Sequence, residues 1–378
     1  MSEYQCYEFQ AIDRPLDRAA QDAIRSVSSR ARITATSFTN EYNWGDFKGD
    51  PRKFMERWFD LHLYIANWGT RRLMMRVPAR LLTLPDIAPF LEEVDWVKVW
   101  IAGDNLIVDI CRDEIDLDDH WIDDSDRLAA LAPLRSDVLS GDLRLFYLPW
   151  LAAVQDEVIS DGDVEPLPGI GPLTGALAAF AEVFGIDPDL VQAAAETAAV
   201  EAATGSDGLR DALAAISDGE KTDLLLRVVE GDSLVAAELV RRLRKRPEPS
   251  APRRTAGALR SRAGEIAEAR ERAEAERREA ERRRQAAAAE QERRVRIEAL
   301  RRRGTAAVWR EIEVEIQRRN ASGYDRAVNL LADLRALAAE EGNRSTFDRR
   351  LASIRVQHGT KRKFIERLAI FGGDERLV

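Results

Sequence analysis

Three histidines, two cysteines and a large stock of carboxylates are the groups in this 378-residue sequence with chemistry to offer. The densest cluster is residues 109–126, where nine Asp or Glu stand with one base, Arg112, and one imidazole, His120. Carboxylates with an imidazole can hold a divalent ion, but the calcium-loop spacing with its central glycine is missing and no second histidine lies near. A solvated acidic loop is the expectation. His62 has no partner at metal-helix spacing and reads as a packed residue of an amphipathic helix over Phe54–Asn67. Cys6 and Cys111 cannot make a zinc site unaided and imply no disulfide framework. Gly-x-Ser-x-Gly, P-loop and metal-helix motifs do not occur. No catalytic residue, no metal and no cofactor is therefore expected.

Recognition chemistry is better represented. The loop Trp44–Asp50 places Trp44 and Phe47 beside Asp46, Lys48 and Asp50, with two glycines for unusual backbone angles. A second cluster, Trp68-Gly-Thr-Arg71-Arg72, has the aromatic-plus-arginine composition of an interaction hot spot. The competing expectation is that the glycines make turns and the aromatics plug the edge of a core. Further on, Pro168-Gly-Ile-Gly171 has the shape of a helix-hairpin-helix turn, whose backbone amides hold a phosphate. Acidic residues 159–165 stand where the first helix of that motif belongs, so a plain Pro/Gly helix start explains the turn better.

The elements that must position these groups follow from punctuation and period. Residues 1–126 alternate strand-like and helix-like stretches: a strand over Tyr4–Ile12, a helix capped by Asp17, a strand over Ile33–Tyr42, the Phe54–Asn67 helix, and strands over Arg71–Val77 and Val94–Ile110 broken as a hairpin at Gly103–Asn105. That order predicts an α+β N-terminal domain of ferredoxin-like type, with βαβ units. Residues 127–246 read as an all-α middle domain, and Pro247-Glu-Pro-Ser-Ala-Pro252 opens a linker over 247–255.

From Ala256 to Arg303 the chain is nearly all Ala, Glu and Arg, which predicts one long charged helix. Glu–Arg pairs recur at the favourable four-residue offset, among them Glu274–Arg278, Glu279–Arg283, Glu290–Arg294, Glu292–Arg296 and Glu298–Arg302. A coiled-coil seam runs through Leu259, Ile266, Ala273, Ala280 and Ala287, but alanine knobs bury little. The remainder, 304–371, carries three apolar stripes and predicts a small C-terminal helical bundle. Charge is sorted along the chain. Residues 1–240 hold 21 Lys+Arg against 44 Asp+Glu, net −23, and residues 241–378 hold 36 against 22, net +14. Candidate phosphate contacts are Arg277, Arg278, Arg282, Arg283, Arg284, Arg301, Arg302, Arg303, Lys361, Arg362 and Lys363.

The run Tyr324-Asp-Arg-Ala-Val-Asn-Leu-Leu-Ala-Asp-Leu-Arg335, continued by Phe347-Asp-Arg-Arg-Leu351 and His358 to Leu368, resembles the tail of bacterial SWIM zinc-finger proteins. It covers about the last fifth of the chain. The zinc-finger pattern of paired cysteines and Cys-x-His is absent, so no zinc ligand is carried over. Residues Glu3–Pro15 and Ile33–Pro78 resemble an uncharacterised bacterial family, which implies no activity. The shared tail implies work beside a SWIM-type, nucleic-acid-associated partner.

With no basic start before an apolar stretch, and no run near the ~18 apolar residues of a membrane span, the expectation is a cytoplasmic protein with no membrane contact. The preferred reading is a non-catalytic interaction or adaptor protein in a multi-protein complex. Its direct rival is a nucleic-acid binder using the Arg-rich helix; an enzyme of unrecognised type is the second alternative.

Overall fold

The computed structural model describes residues 3–115, 127–197, 210, 213–243 and 252–372. The chain forms two compact units, Met1–Arg270 and Glu271–Val378. His120 and most of the 109–126 acidic cluster lie outside the described residues, as do the linker prolines Pro247 and Pro249.

The first unit is built on one seven-stranded antiparallel sheet. Its strands are β1 (Gln5–Gln10), β2 (Arg32–Ile33), β3 (Ser37–Tyr42), β4 (Leu61–Ala66), β5 (Arg71–Pro78), β6 (Val97–Ala102) and β7 (Asn105–Arg112). They lie in the order β2-β3-β1-β4-β5-β7-β6. Helices α1 (Arg18–Val27), α2 (Pro51–Arg57) and α3 (Leu84–Leu91) join them. β3 and β4 are both antiparallel to β1, which lies between them, so α2 links two parallel strands around an interposed third. β5 and β6 flank β7 in the same way, joined by α3. The βαβ units expected from the sequence are thus present in split form. The seven-strand order replaces the four-strand ferredoxin-like one.

One predicted element is corrected. The helix expected over Phe54–Asn67 is α2 followed by a strand. Asp50 caps α2 by accepting from the Arg52 amide at 2.9 Å, with Pro51 in the first turn. Leu61, Leu63 and Ile65 then recur at period two, and their burial on one sheet face outweighs the helical spacing of Phe54 and Trp58. His62 is therefore a strand residue.

Alternation along the strands makes two cores. Leu61, Leu63, Leu73, Met75, Leu106 and Val108 point to one side. Phe9, Phe38, Met74 and Ile107 point to the other, against Ile24 of α1 and Phe54 and Met55 of α2. The first side is covered by α4 (Arg127–Leu131), α5 (Pro133–Leu139), α6 (Arg144–Gln155), α7 (Gly175–Val183) and α8 (Pro188–Ala195). Helix α6 is apolar all round and has every residue from Arg144 to Val154 buried, as such a helix must. The helices after Arg127 and the sheet share this core. Helices α9 (Asp218–Val229) and α10 (Val235–Leu243) follow.

The long charged helix forms as α11, Ala256–Arg303. Its opening turns belong to the first core through Ala256, Leu259, Ala263 and Ile266. The coiled-coil seam stops there: Ala273, Ala280 and Ala287 are exposed. What precedes α11 is pinned. The Glu165 amide donates to the Arg254 carbonyl at 2.9 Å, and Val164 bridges Thr255.

The second unit closes on α12 (Thr305–Gln317), α13 (Ala321–Glu340), α14 (Arg344–Gln357) and α15 (Arg362–Arg367). Its own core takes Ile297 and Leu300 from α11, Trp309 and Ile312 from α12, Leu331 and Leu334 from α13, and Phe347, Leu351 and Phe364 beyond. The helical bundle expected after residue 304 is present.

Candidate interaction surface

The register of β1 decides what the Trp44–Asp50 loop and the Trp68 turn do. Gln5 pairs with Tyr42 on one side and Ala66 on the other, so the exit of β3 and the β4–β5 turn share one end of the sheet. The structure thereby brings together two clusters that are 24 residues apart in sequence. Trp44 is 70 % exposed and Trp68 is 48 % exposed. Arg30 places its guanidinium over the Trp44 ring, 5.3 Å from the centroid.

The other candidates divide by role. Phe47 is buried and packs against Tyr7, Phe9, Phe38 and Phe54, so the loop aromatic expected as a core plug is this one. Asp50 caps α2, and Lys48 is exposed. Asp46 is exposed, and its carboxylate accepts from the Gln5 side-chain amide at 3.1 Å. Arg71 is not a surface group. It is buried, donates to the carbonyls of Ala66 and Thr70, and burial pulls its pKa down to about 10. Arg72 makes a two-point bond to Asp109 at 2.7 and 2.6 Å. Burial opposes its charge, yet Asp109 holds its pKa above the ordinary value. Both arginines are absorbed by the sheet, Arg71 because the β4–β5 turn needs donors and Arg72 because, standing opposite Cys111, it reaches diagonally from β5 to Asp109 on β7.

A group that the sequence reading missed organises this end. Gln5 is almost wholly buried. Its amide nitrogen donates to the Gly45 carbonyl and to Asp46, and its amide oxygen accepts from the Tyr7 and Tyr64 hydroxyls at 3.0 and 3.1 Å. Burial raises the pKa of both tyrosines, so they stay neutral donors. The signal was there: Gln5, Tyr7 and Phe9 alternate, and Tyr64 faces Tyr7 once residues 61–66 are read as a strand. The cysteines do not meet in this arrangement. Cys6 is pushed up to about 12 by burial and Cys111 is raised by burial, which leaves both as unreactive thiols at neutral pH.

The candidate phosphate contacts are largely spoken for. Arg278 pairs with Glu274 at 3.5 Å, Arg283 with Glu279, Arg302 with Glu298 at 3.4 Å and Arg303 with Glu311. Arg301 reaches Glu298, Glu340 and Glu341, and the first of these raises its pKa. Arg277 turns back to the Ala273 carbonyl, and Arg362 pairs with Glu366. Lys361 donates to the Ile316 carbonyl at 3.3 Å and to His358 Nδ1 at 3.1 Å, while His358 Nε2 donates to Glu313 at 2.8 Å. Arg282, Arg284 and Lys363 have no ion-pair partner among the described residues. Arg296 departs from the expected pairing with Glu292 and lies 3.9 Å from Asp333.

At the Pro168–Gly171 turn the backbone amides are used within the fold, in keeping with a plain turn rather than a phosphate loop. The Ile170 amide donates to the Ala194 carbonyl at 3.1 Å and the Gly171 amide to the Thr197 carbonyl at 3.0 Å. Those amides close the turn onto the end of α8 and are not offered to a ligand.

Among the described residues no group of three or more His, Cys, Asp or Glu is placed to hold a metal ion, and no helix is long and apolar enough to cross a membrane. No protein-family model matches the chain, no curated protein matches it, and no solved structure matches its fold.

Proposed function

We propose that this protein is a non-catalytic interaction protein, an adaptor that joins an acidic folded unit to a helical docking tail through a charged helix, in a complex with a nucleic-acid-associated protein. One observation carries the reading. From Ala275 to Arg296 every residue of α11 is exposed, and Arg278, Arg283, Arg293 and Arg294 pair with glutamates of the same helix, as at Glu279–Arg283 and Glu290–Arg294. A helix that is polar on all faces and laced with such pairs is stable without a core of its own, which suits a connecting element. The tail's resemblance to that of SWIM zinc-finger proteins supports a partner of that class. The reading also fits a cytoplasmic setting.

Affinity purification of the intact protein from its own cells, with and without nuclease, tests it. A co-purifying protein that survives nuclease is the expected result. Recovery of the chain alone in both preparations defeats the proposal.

Exposed Arg282 and Arg284, without ion-pair partners among the described residues, favour direct nucleic-acid binding as the second reading. Mobility of DNA and RNA with the full chain across a salt series separates the two. A shift at low salt that fades steeply with added salt supports this second reading, and no shift at low salt removes it.

A further inference from the structure

We propose that the end of the sheet carrying Trp44 and Trp68 docks an arginine- and lysine-rich segment of a protein partner. The inference rests on the adaptor reading and names the chemistry of what is bound.

Geometry comes first. Trp44 lies two residues beyond Tyr42 and Trp68 two beyond Ala66, and both of those residues pair with Gln5. Strands β3 and β4 are separated only by β1, so the two turns start about 10 Å apart, two strand spacings. Two large indoles, 70 % and 48 % exposed, on turns at that separation supply the apolar part of the platform.

The platform is held rather than loose. Gln5 bonds the Gly45 carbonyl at 3.3 Å and Asp46 at 3.1 Å, which fixes the chain on either side of the turn at Gly45. On the other side Tyr4 and Asn67 exchange two hydrogen bonds of 3.0 Å, and Thr70 donates to Asp113 at 2.6 Å. Gly69, at φ +95°, packs so closely on Ile115 that a Cβ there would lie 2.8 Å from its backbone. Aromatics presented on a fixed backbone lose little entropy on binding.

The chemistry of the rim selects the occupant. Glu3, Glu41, Asp46, Asp113 and Glu114 are exposed at this end, against the exposed bases Arg30 and Lys48. One of those bases already shows the mode of capture, because Arg30 lies over the Trp44 ring. An indole face with carboxylates around it holds a guanidinium or ammonium by cation–π attraction and ion pairing together. The same rim repels phosphate, which argues against a nucleic-acid strand stacking on these rings.

The test uses the full chain and a twelve-residue peptide of alternating Arg and Ala, with a Glu/Ala peptide of equal length as control. Binding is read by tryptophan fluorescence and calorimetry at several salt concentrations. The expected result is binding of the basic peptide only, weakened at least tenfold in a Trp44→Ala/Trp68→Ala variant. Glu41→Lys, an exposed single change, gives a second variant in which binding weakens several-fold with the rings in place. Equal affinity of wild type and both variants overturns the proposal, because the general negative charge of the unit would then be the cause. Binding of a single-stranded oligonucleotide that the double variant loses also overturns it. Repeating the affinity purification keeps the two readings apart. If wild type and the double variant capture the same proteins, this surface is not the dock and the adaptor reading stands. If wild type captures nothing, the adaptor reading falls whatever the peptide does.

Discussion

Arginine and glutamate meet at both Arg254–Glu165 and Arg283–Glu279, and the two pairs do opposite kinds of work. Glu165 is fully buried. It accepts from Arg254 at 2.8, 3.0 and 3.0 Å and from the Tyr147 hydroxyl at 2.5 Å, while Arg254 also donates to the carbonyls of Ala193 and Ala194. Glu279 and Arg283 are both largely exposed and answer only to each other across one helical turn. The first pair fixes where α11 begins; the second keeps a solvated helix helical. A charged pair read from sequence therefore says little until its surroundings are known. The desolvation of Glu165 makes its partners obligatory, whereas water can replace either member of the exposed pair.

The largest expected effect breaks the buried pair. Glu165→Ala leaves the Arg254 guanidinium without a carboxylate and the Tyr147 hydroxyl without its acceptor. Removing one member of a buried pair costs about 3–5 kcal/mol. Urea unfolding followed by tryptophan fluorescence reads it, since Trp150 packs 5.3 Å from Tyr147. A loss below about 1 kcal/mol would put Arg254 among the solvated arginines and erase the contrast.

Backbone closure beside the same network gives the next effect. Gly169 has φ +127°, and a Cβ there would strike the Thr197 carbonyl that accepts from Gly171. Gly169→Ala should cost about 2–3 kcal/mol from strain and the lost turn. An unchanged unfolding midpoint would show that this turn relaxes freely, and that the rigidity assigned to the Arg254 region is overstated.

His62 carries the same lesson for an uncharged group. Its Nδ1–H donates to the Glu8 carbonyl at 2.9 Å, its ring stacks on Phe9 at 3.9 Å, and Nε2 has no hydrogen-bond partner among the described residues. Burial lowers its pKa to about 3 from an ordinary 6.5. The unfolded chain takes up a proton below pH 6.5 that the folded chain refuses, so this contribution is full above that pH and is lost as pH falls from 6.5 towards 3. Between pH 7 and pH 5 the loss is about 2 kcal/mol. His62→Phe, which keeps a ring on Phe9, should flatten stability over that window by the same amount. Identical pH profiles for variant and wild type would mean that the imidazole reaches water.

Much of this was legible in the sequence, for identifiable reasons. The bounds of α11 follow from composition, because Ala, Glu and Arg leave no competing period between the start at Ala256 and Gly304. The β6–β7 hairpin follows from Gly103-Asp104-Asn105 between apolar runs. The strand at Leu61–Ala66 was hidden because Phe54, Trp58 and Leu61 also suit a helix, and only the opposing strands β1 and β5 decide between the two periods. At the candidate surface, sequence composition singled out Trp44 and Trp68 but could not separate them from Phe47, Arg71 and Arg72, whose roles depend on partners far away in the chain. For Gln5 the alternation with Tyr7 and Phe9 was legible but the role was not: a lone glutamine acquires it only from Gly45, Asp46 and Tyr64.

The smallest expected effect tests the other side of the comparison. Glu279→Ala removes the partner of Arg283 on the exposed stretch of α11, and such a four-residue pair contributes about 0.2–0.5 kcal/mol to its helix. Alanine's own helix propensity offsets part of that, so the helical signal in circular dichroism should be nearly unchanged at low salt. Added salt should erase the remaining difference, because both side chains are open to screening. Glu165→Ala should keep its full cost in the same salt series, since no counterion reaches a carboxylate with no exposed surface. If Glu279→Ala instead costs as much as Glu165→Ala, and salt does not reduce that cost, then α11 is covered in solution by something that desolvates it. The exposed helix would then be a binding face rather than a connecting element.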